Sequence, residues 1–142
     1  PNADAGGRAM IRVIQQYRKY PIFKIWRTIP RKDYIGLMKY ASVLVGNSSA
    51  GIIEAPSFRL PVVNIGTRQA RRERAGNTIE VGYKKKDIQK AIEKALWDTK
   101  FQRKVQGCRS PYGSGRAGQK IASILSKIPI DTKLLQKQLT YT

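Results

Sequence analysis

Residues 43–67 read VLVGNSSAGIIEAPSFRLPVVNIGT, and this stretch decides the fold. An apolar run, Val43, Leu44 and Val45, ends in Gly46, Asn47, Ser48, Ser49, Ala50 and Gly51. A short apolar helix with one carboxylate, Glu54, follows. A second apolar run, Val62, Val63, Asn64 and Ile65, ends in Gly66 and Thr67. The order is strand, small-residue turn, helix, strand. Such a turn places backbone N–H groups and two hydroxyls at a helix start, where a phosphate can sit. The same spacing fits a tight βα turn with a serine N-cap. No GKS or GKT follows a glycine-rich loop, and the dinucleotide GxGxxG pattern is absent, so neither common nucleotide fingerprint applies.

Working outward, Ser48, Ser49 and Gly51 are the first candidate ligand residues. Small residues let a backbone approach an anion, and hydroxyls add donors. Glu54 lies a turn into the predicted helix, and helical side chains lean toward the N-terminus. Its carboxylate suits two adjacent ribose hydroxyls; a favourable charge near a helix start explains it equally well. Arg68 follows the second strand, and ligands of open α/β sheets bind outside the carboxyl ends of strands. Its planar fork matches a pyrophosphate. It is also one of 28 basic residues.

The chain has 142 residues, 41% of them hydrophobic, which is enough for a globular core in one domain. No apolar run approaches the roughly 18–20 residues of a membrane-spanning helix. The first seven residues, PNADAGG, lack the apolar region of a signal peptide. A single cysteine, Cys108, precludes an internal disulfide and fits a reducing cytoplasm. With one cysteine and no histidine, neither a zinc site nor a Ser-His or Cys-His nucleophile system is expected. No cofactor is indicated. Net charge is +19, from 28 basic and 9 acidic residues. Nucleic acid is one partner such charge can serve. The cations are spread along the chain, apart from Arg71, Arg72, Arg74 and Lys84, Lys85, Lys86, and no nucleic-acid motif accompanies them. An anionic-ligand domain with a basic surface is favoured, and nucleic acid is not expected to be the main partner. An acidic partner domain is a third way to balance the charge.

Periodicity predicts helices at 9–17, 31–40, 51–58, 86–97, 100–106 and 117–128, with a weak one at 134–139. Tyr34, Ile35, Leu37, Met38 and Ala41 form the expected inner face of 31–40. Ile88, Ala91, Ile92, Ala95 and Leu96 do the same for 86–97, and Ile121, Ile124, Leu125 and Ile128 for 117–128. Pro56 would shorten or disturb 51–58. Strands are expected at 22–29, 43–46, 61–66 and 78–81, with a glycine-rich loop at 110–118. Alternating strands and helices indicate α/β with a mainly parallel sheet. Asp33, Asp87 and Asp131 fit helix starts. No two carboxylates are spaced for coupled acid/base work.

The segment GNSSAGIIEAPSFRLPVVNIGTRQ, residues 46–69, closely resembles UDP-N-acetylglucosamine 2-epimerases, especially the branch with hydrolysing enzymes of sialic acid synthesis. PNADAGG at 1–7, RAGNTI at 74–79, PYG at 111–113 and IDTKLL at 130–135 fit the same family. The resemblance implies a GT-B architecture, two Rossmann-like domains with ligand in the cleft, and a C-terminal domain that binds UDP. On it, Ser48 and Ser49 contact the diphosphate with backbone help at Gly51, Glu54 holds the ribose, and Arg68 neutralises phosphate. Backbone near Ile29 and Pro30 lies by the uracil, and Asn2 and Asp4 face the sugar. Arg59 stands where a glycine is usual, Ser114 and Arg116 where Asp and Asn are, and 70–72 differ in detail.

The family reaction removes the proton at sugar C2, expels UDP to a glycal, and adds water or UDP back with inversion. Its acid and base come largely from the N-terminal domain. The chain 1–142 therefore reads as a single partial UDP-binding Rossmann-like domain with a helical tail from about 117. It lacks the first strands of that domain, which leaves the 22–29 strand without neighbours. An exposed sheet edge invites pairing, so new pairing within the fragment or homo-oligomerisation is expected. Other partners are UDP-N-acetylglucosamine or UDP and the missing N-terminal domain. A GT-B glycosyltransferase nucleotide domain and a basic nucleic-acid module are the alternatives. Preference for UDP over ADP, against steep salt dependence without base preference, separates nucleotide pocket from nucleic-acid module.

Overall fold

A computed structural model describes residues 6–136. The chain divides into two compact units, 1–40 and 41–142. The first contains α1 (Gly7–Gln16), a 3₁₀ turn (Tyr17–Lys19) and α2 (Arg31–Tyr40). The second runs β1 (Leu44–Gly46), α3 (Ala50–Ile53), a 3₁₀ turn (Ala55–Phe58), β2 (Val62–Ile65), β3 (Thr78–Val81), α4 (Lys85–Trp97), α5 (Thr99–Gln106), α6 (Ala117–Leu125) and α7 (Thr132–Leu135). The class is α/β, with one three-stranded parallel sheet in the order β1-β2-β3. Leu44 pairs with Val62 and Gly46 with Asn64, while Val62 pairs with Thr78 and Ile65 with Val81.

The core follows from the sequence pattern. β2 is buried over Val62, Val63 and Asn64, the run expected of a central parallel strand. Ala91 and Ala95 of α4, with Phe101 and Val105 of α5, close on Val63. Val43, Ile65, Ile79, Val81 and Ile92 pack around that cluster. Asp98 ends α4 and caps α5, its Oδ1 accepting the Phe101 N–H at 2.9 Å. Alanines at the α4 contact let the helix approach the sheet closely.

Four expectations are corrected. Residues 22–29 form no strand: a strand needs a ladder to pair its N–H and C=O groups, and the first unit has only helices among its described residues. Phe23 of this segment clusters instead with rings before it, with Tyr17 at 5.2 Å and with Tyr20 at 6.4 Å between centroids. The helix expected at 51–58 breaks into α3 and a 3₁₀ turn, because Pro56 supplies no N–H to continue the α-helical ladder. Finally, Ile121, Ile124, Leu125 and Ile128 are exposed rather than inward. Amphipathic spacing predicts a helix, but the core built by the sheet, α4 and α5 does not include α6. Leu37, expected inward in α2, is exposed, whereas Met38 is buried. Among the described residues no helix is long and apolar enough to cross a membrane.

Candidate functional site

The C-terminal ends of β1 and β2 carry the candidate residues. β1 ends at Gly46, whose φ of 150° suits glycine. The chain then turns through Asn47, Ser48 and Ser49 into α3. Ser48 Oγ accepts the Ala50 N–H at 3.3 Å, a side-chain turn that tightens the entry. The Gly51 N–H donates to Ser48 O at 3.2 Å, and Ile52 and Ile53 donate to Ser49 O at 3.0 and 2.9 Å. Ser48 is exposed and Ser49 half-buried.

Gly51 is buried, and a Cβ there would stand 2.8 Å from Val62 Cγ1 and 3.5 Å from Leu44 Cδ2. Its missing side chain lets α3 lie on β1 and β2, a packing reason that spacing does not separate from ligand approach. Glu54 is half-buried and forms the C-cap of α3, its N–H donating to Ala50 O at 3.0 Å.

β2 ends at Ile65, and Gly66 with φ 77° swings the chain into Thr67, Arg68 and Gln69. Arg68 Nη1 donates to Asn47 O at 3.4 Å, and Gln69 Nε2 donates to the same oxygen at 2.9 Å. The structure thus joins the loop after β2 to the turn after β1 and brings Arg68 beside Ser48. Ile29 and Pro30 belong to the first unit, where they line a cavity of 540 Å³ with Trp26, Lys32 and Tyr40. Asn2 and Asp4 lie outside the described residues.

Several neighbours of the site escaped the sequence reading. Gln69 is only 4% exposed. Arg74 Nη2 donates to Gln69 O at 2.6 Å, and its Nε bonds Glu80 Oε1 at 2.6 Å. Glu80 Oε2 accepts from Asn64 Nδ2 at 2.6 Å. Asn64 inside an apolar strand was the available signal, since a buried carboxamide requires partners. Tyr83 follows β3, 75% exposed, with its phenol ring against Gly66. Among the described residues no three His, Cys, Asp or Glu side chains gather as a metal would require.

This arrangement offers donors and the Arg68 guanidinium at the carboxyl end of a parallel sheet, which is chemistry for holding an anion. The sequence profile described as UDP-N-acetylglucosamine 2-epimerase matches residues 1–126. The chain belongs to the UDP-N-acetylglucosamine 2-epimerase family. It is 38% identical over 137 residues to the UDP-N,N'-diacetylbacillosamine 2-epimerase (hydrolyzing) of Legionella pneumophila, covering 96% of this chain and 35% of that protein. It is 37% identical to polysialic acid biosynthesis protein P7 of Escherichia coli, over 78% of this chain and 28% of that one. It is 35% identical to a UDP-N-acetylglucosamine 2-epimerase of Neisseria meningitidis serogroup B, over 72% and 27% respectively. The chain spans about a third or less of the length of these epimerase-family relatives.

Proposed function

We propose that this chain is the UDP-binding part of a UDP-N-acetylglucosamine 2-epimerase and is catalytically incomplete by itself. The observation that carries the reading is the junction at Asn47, where Arg68 and Gln69 reach the turn that bears Ser48 and Ser49. Ser48, Ser49 and the turn backbone hold the diphosphate, Glu54 takes the ribose hydroxyls, and Arg68 neutralises phosphate charge. Because α3 has one turn, the local N–H groups and hydroxyls matter more than a macrodipole. Gly51 contributes by letting that turn sit close to the sheet. Asn2 and Asp4 face the sugar.

The reaction of the whole enzyme takes the proton from sugar C2, expels UDP to a glycal, and adds UDP or water back with inversion. In this reading the residues of this chain bind and orient the UDP leaving group, and the acid and base come from elsewhere. The relatives' names suggest a surface-polysaccharide or sialic-acid-like pathway, and we assign the protein to the cytoplasm. Self-association through a sheet edge belongs to the proposal; a monomer at every concentration in sedimentation velocity would count against it.

Calorimetric titration with UDP, ADP and a short DNA duplex tests the pocket. Saturable UDP binding, stronger than ADP binding and weakened about tenfold or more in Glu54→Ala and Arg68→Ala, is expected. Salt-sensitive DNA binding without UDP binding would overturn it. No turnover of UDP-N-acetylglucosamine by the chain alone is expected.

A further inference from the structure

The peptide between Asn47 and Ser48 opens the small-residue turn, and a loop 21 to 22 residues away in sequence holds its oxygen. A trans peptide directs its C=O and its N–H to opposite sides. Gripping Asn47 O from the loop after β2 therefore fixes which way the Ser48 N–H points. Release of the oxygen would let the plane rotate. An anion at the turn would then meet a carbonyl in place of a donor.

Gln69 has the stronger grip, at 2.9 Å against 3.4 Å for Arg68. Its carboxamide can face Asn47 O in one orientation only, since that oxygen accepts and the NH₂ must donate. The other end, Oε1, is buried with no protein partner among the described residues. The loop behind it is braced: Arg74 holds Gln69 O, Glu80 of β3 holds Arg74, and Asn64 of β2 holds Glu80. The orientation of one turn peptide is thereby tied to two strands of the sheet.

We propose that Gln69 is a positioning residue of the anion-binding turn. It fixes the Asn47–Ser48 peptide with its donor side toward a nucleoside diphosphate and acts without touching the ligand. The ligand rests on the UDP reading above; the clamp is a property of the fold and is tested separately.

Gln69→Glu keeps the shape and replaces the donor with an acceptor. UDP titrations of the full chain are made at a temperature where circular dichroism shows both proteins native. At about pH 8 the variant is expected to bind about tenfold or more weakly than the parent. Burial against a carbonyl oxygen favours the protonated carboxyl of the variant, so at about pH 5 it can again donate to Asn47 O and the ratio to the parent at the same pH moves toward one. Amide hydrogen exchange at 51–54 is expected to quicken at about pH 8 while that of β2 is unchanged. Equal affinity at about pH 8, or a loss that does not recover in acid, overturns the proposal. Should the parent not bind UDP, the exchange data decide: unchanged protection at 51–54 overturns the clamp, and faster exchange upholds it while the ligand reading alone fails. Should Gln69→Glu not fold, Gln69→Met carries the same expectations without acid recovery.

Discussion

Asn77 is fully buried and donates from Nδ2 to the carbonyl oxygen of Leu60 at 3.0 Å, across 17 residues of sequence. Its own carbonyl accepts the Val62 N–H at 2.9 Å. Two bonds from one residue thus set where β2 begins and where β3 joins it. Replacing Asn77 by Ala leaves the backbone bond and strands a buried carbonyl, so a loss of about 2 kcal/mol is expected. Urea unfolding measures it. A change within about 0.5 kcal/mol, as at ordinary surface sites, would contradict this role.

Gly51→Ala tests whether packing or ligand approach requires this glycine. The added Cβ would press on Val62 Cγ1 at 2.8 Å, and both residues are buried. Overpacking of this kind costs about 1–3 kcal/mol. Pairing the substitution with Val62→Ala removes the obstructing atom, and the combined loss should be smaller than the sum of the single losses. Strict additivity in thermal unfolding would show that the contact is not the reason.

Cys108 and Arg59 are electrostatically linked. Burial pushes the Cys108 thiol above its ordinary 9.0, while the Arg59 guanidinium draws it back. Alkylation by iodoacetamide at about pH 8 should be slower than for an unfolded thiol, and slower again in Arg59→Gly. The native state holds the thiol proton more tightly than the unfolded state. This contribution is therefore intact below the ordinary value and lost as pH rises through the native one. Cys108→Ala should remove that alkaline decline in stability. Arg59 also carries φ 51° at the end of the 3₁₀ turn, a left-handed conformation that glycine adopts without strain. Relief of that strain, less the greater unfolded-state freedom of glycine, should make Arg59→Gly more stable by up to about 1 kcal/mol. Mass spectrometry follows the alkylation rate, and urea titration across pH follows the stability.

The sequence resolved β1, β2, β3 and α4 because their signals are local. Val62 and Val63 form an unbroken apolar run, and Ala91, Ala95 and their neighbours recur at helical spacing. Asp98 shows the limit of such reading: it lies just after a helix, yet its carboxylate caps the next one. Residues 22–29 show it again, since apolar alternation between prolines cannot supply the partner a strand requires. Ile121, Ile124 and Leu125 predict a helix correctly but not what covers it. For the site, Ser48, Ser49, Glu54 and Arg68 were legible as residue types that bind anions and hydroxyls. Gln69 was not, because its meaning comes from one carbonyl oxygen 22 residues earlier.

By itself, then, the sequence determined the α/β class, the strand–turn–helix–strand unit and the family, through local periodicity and the unbroken motif at 46–69. Tertiary structure alone decided which groups meet. Asn77 closing on Leu60, Gly51 seated on Val62, and the chain from Asn64 through Glu80, Arg74 and Gln69 to Asn47 all join residues from separate segments. Such hydrogen bonds and contacts depend on distances that exist only once β1, β2 and β3 stand side by side.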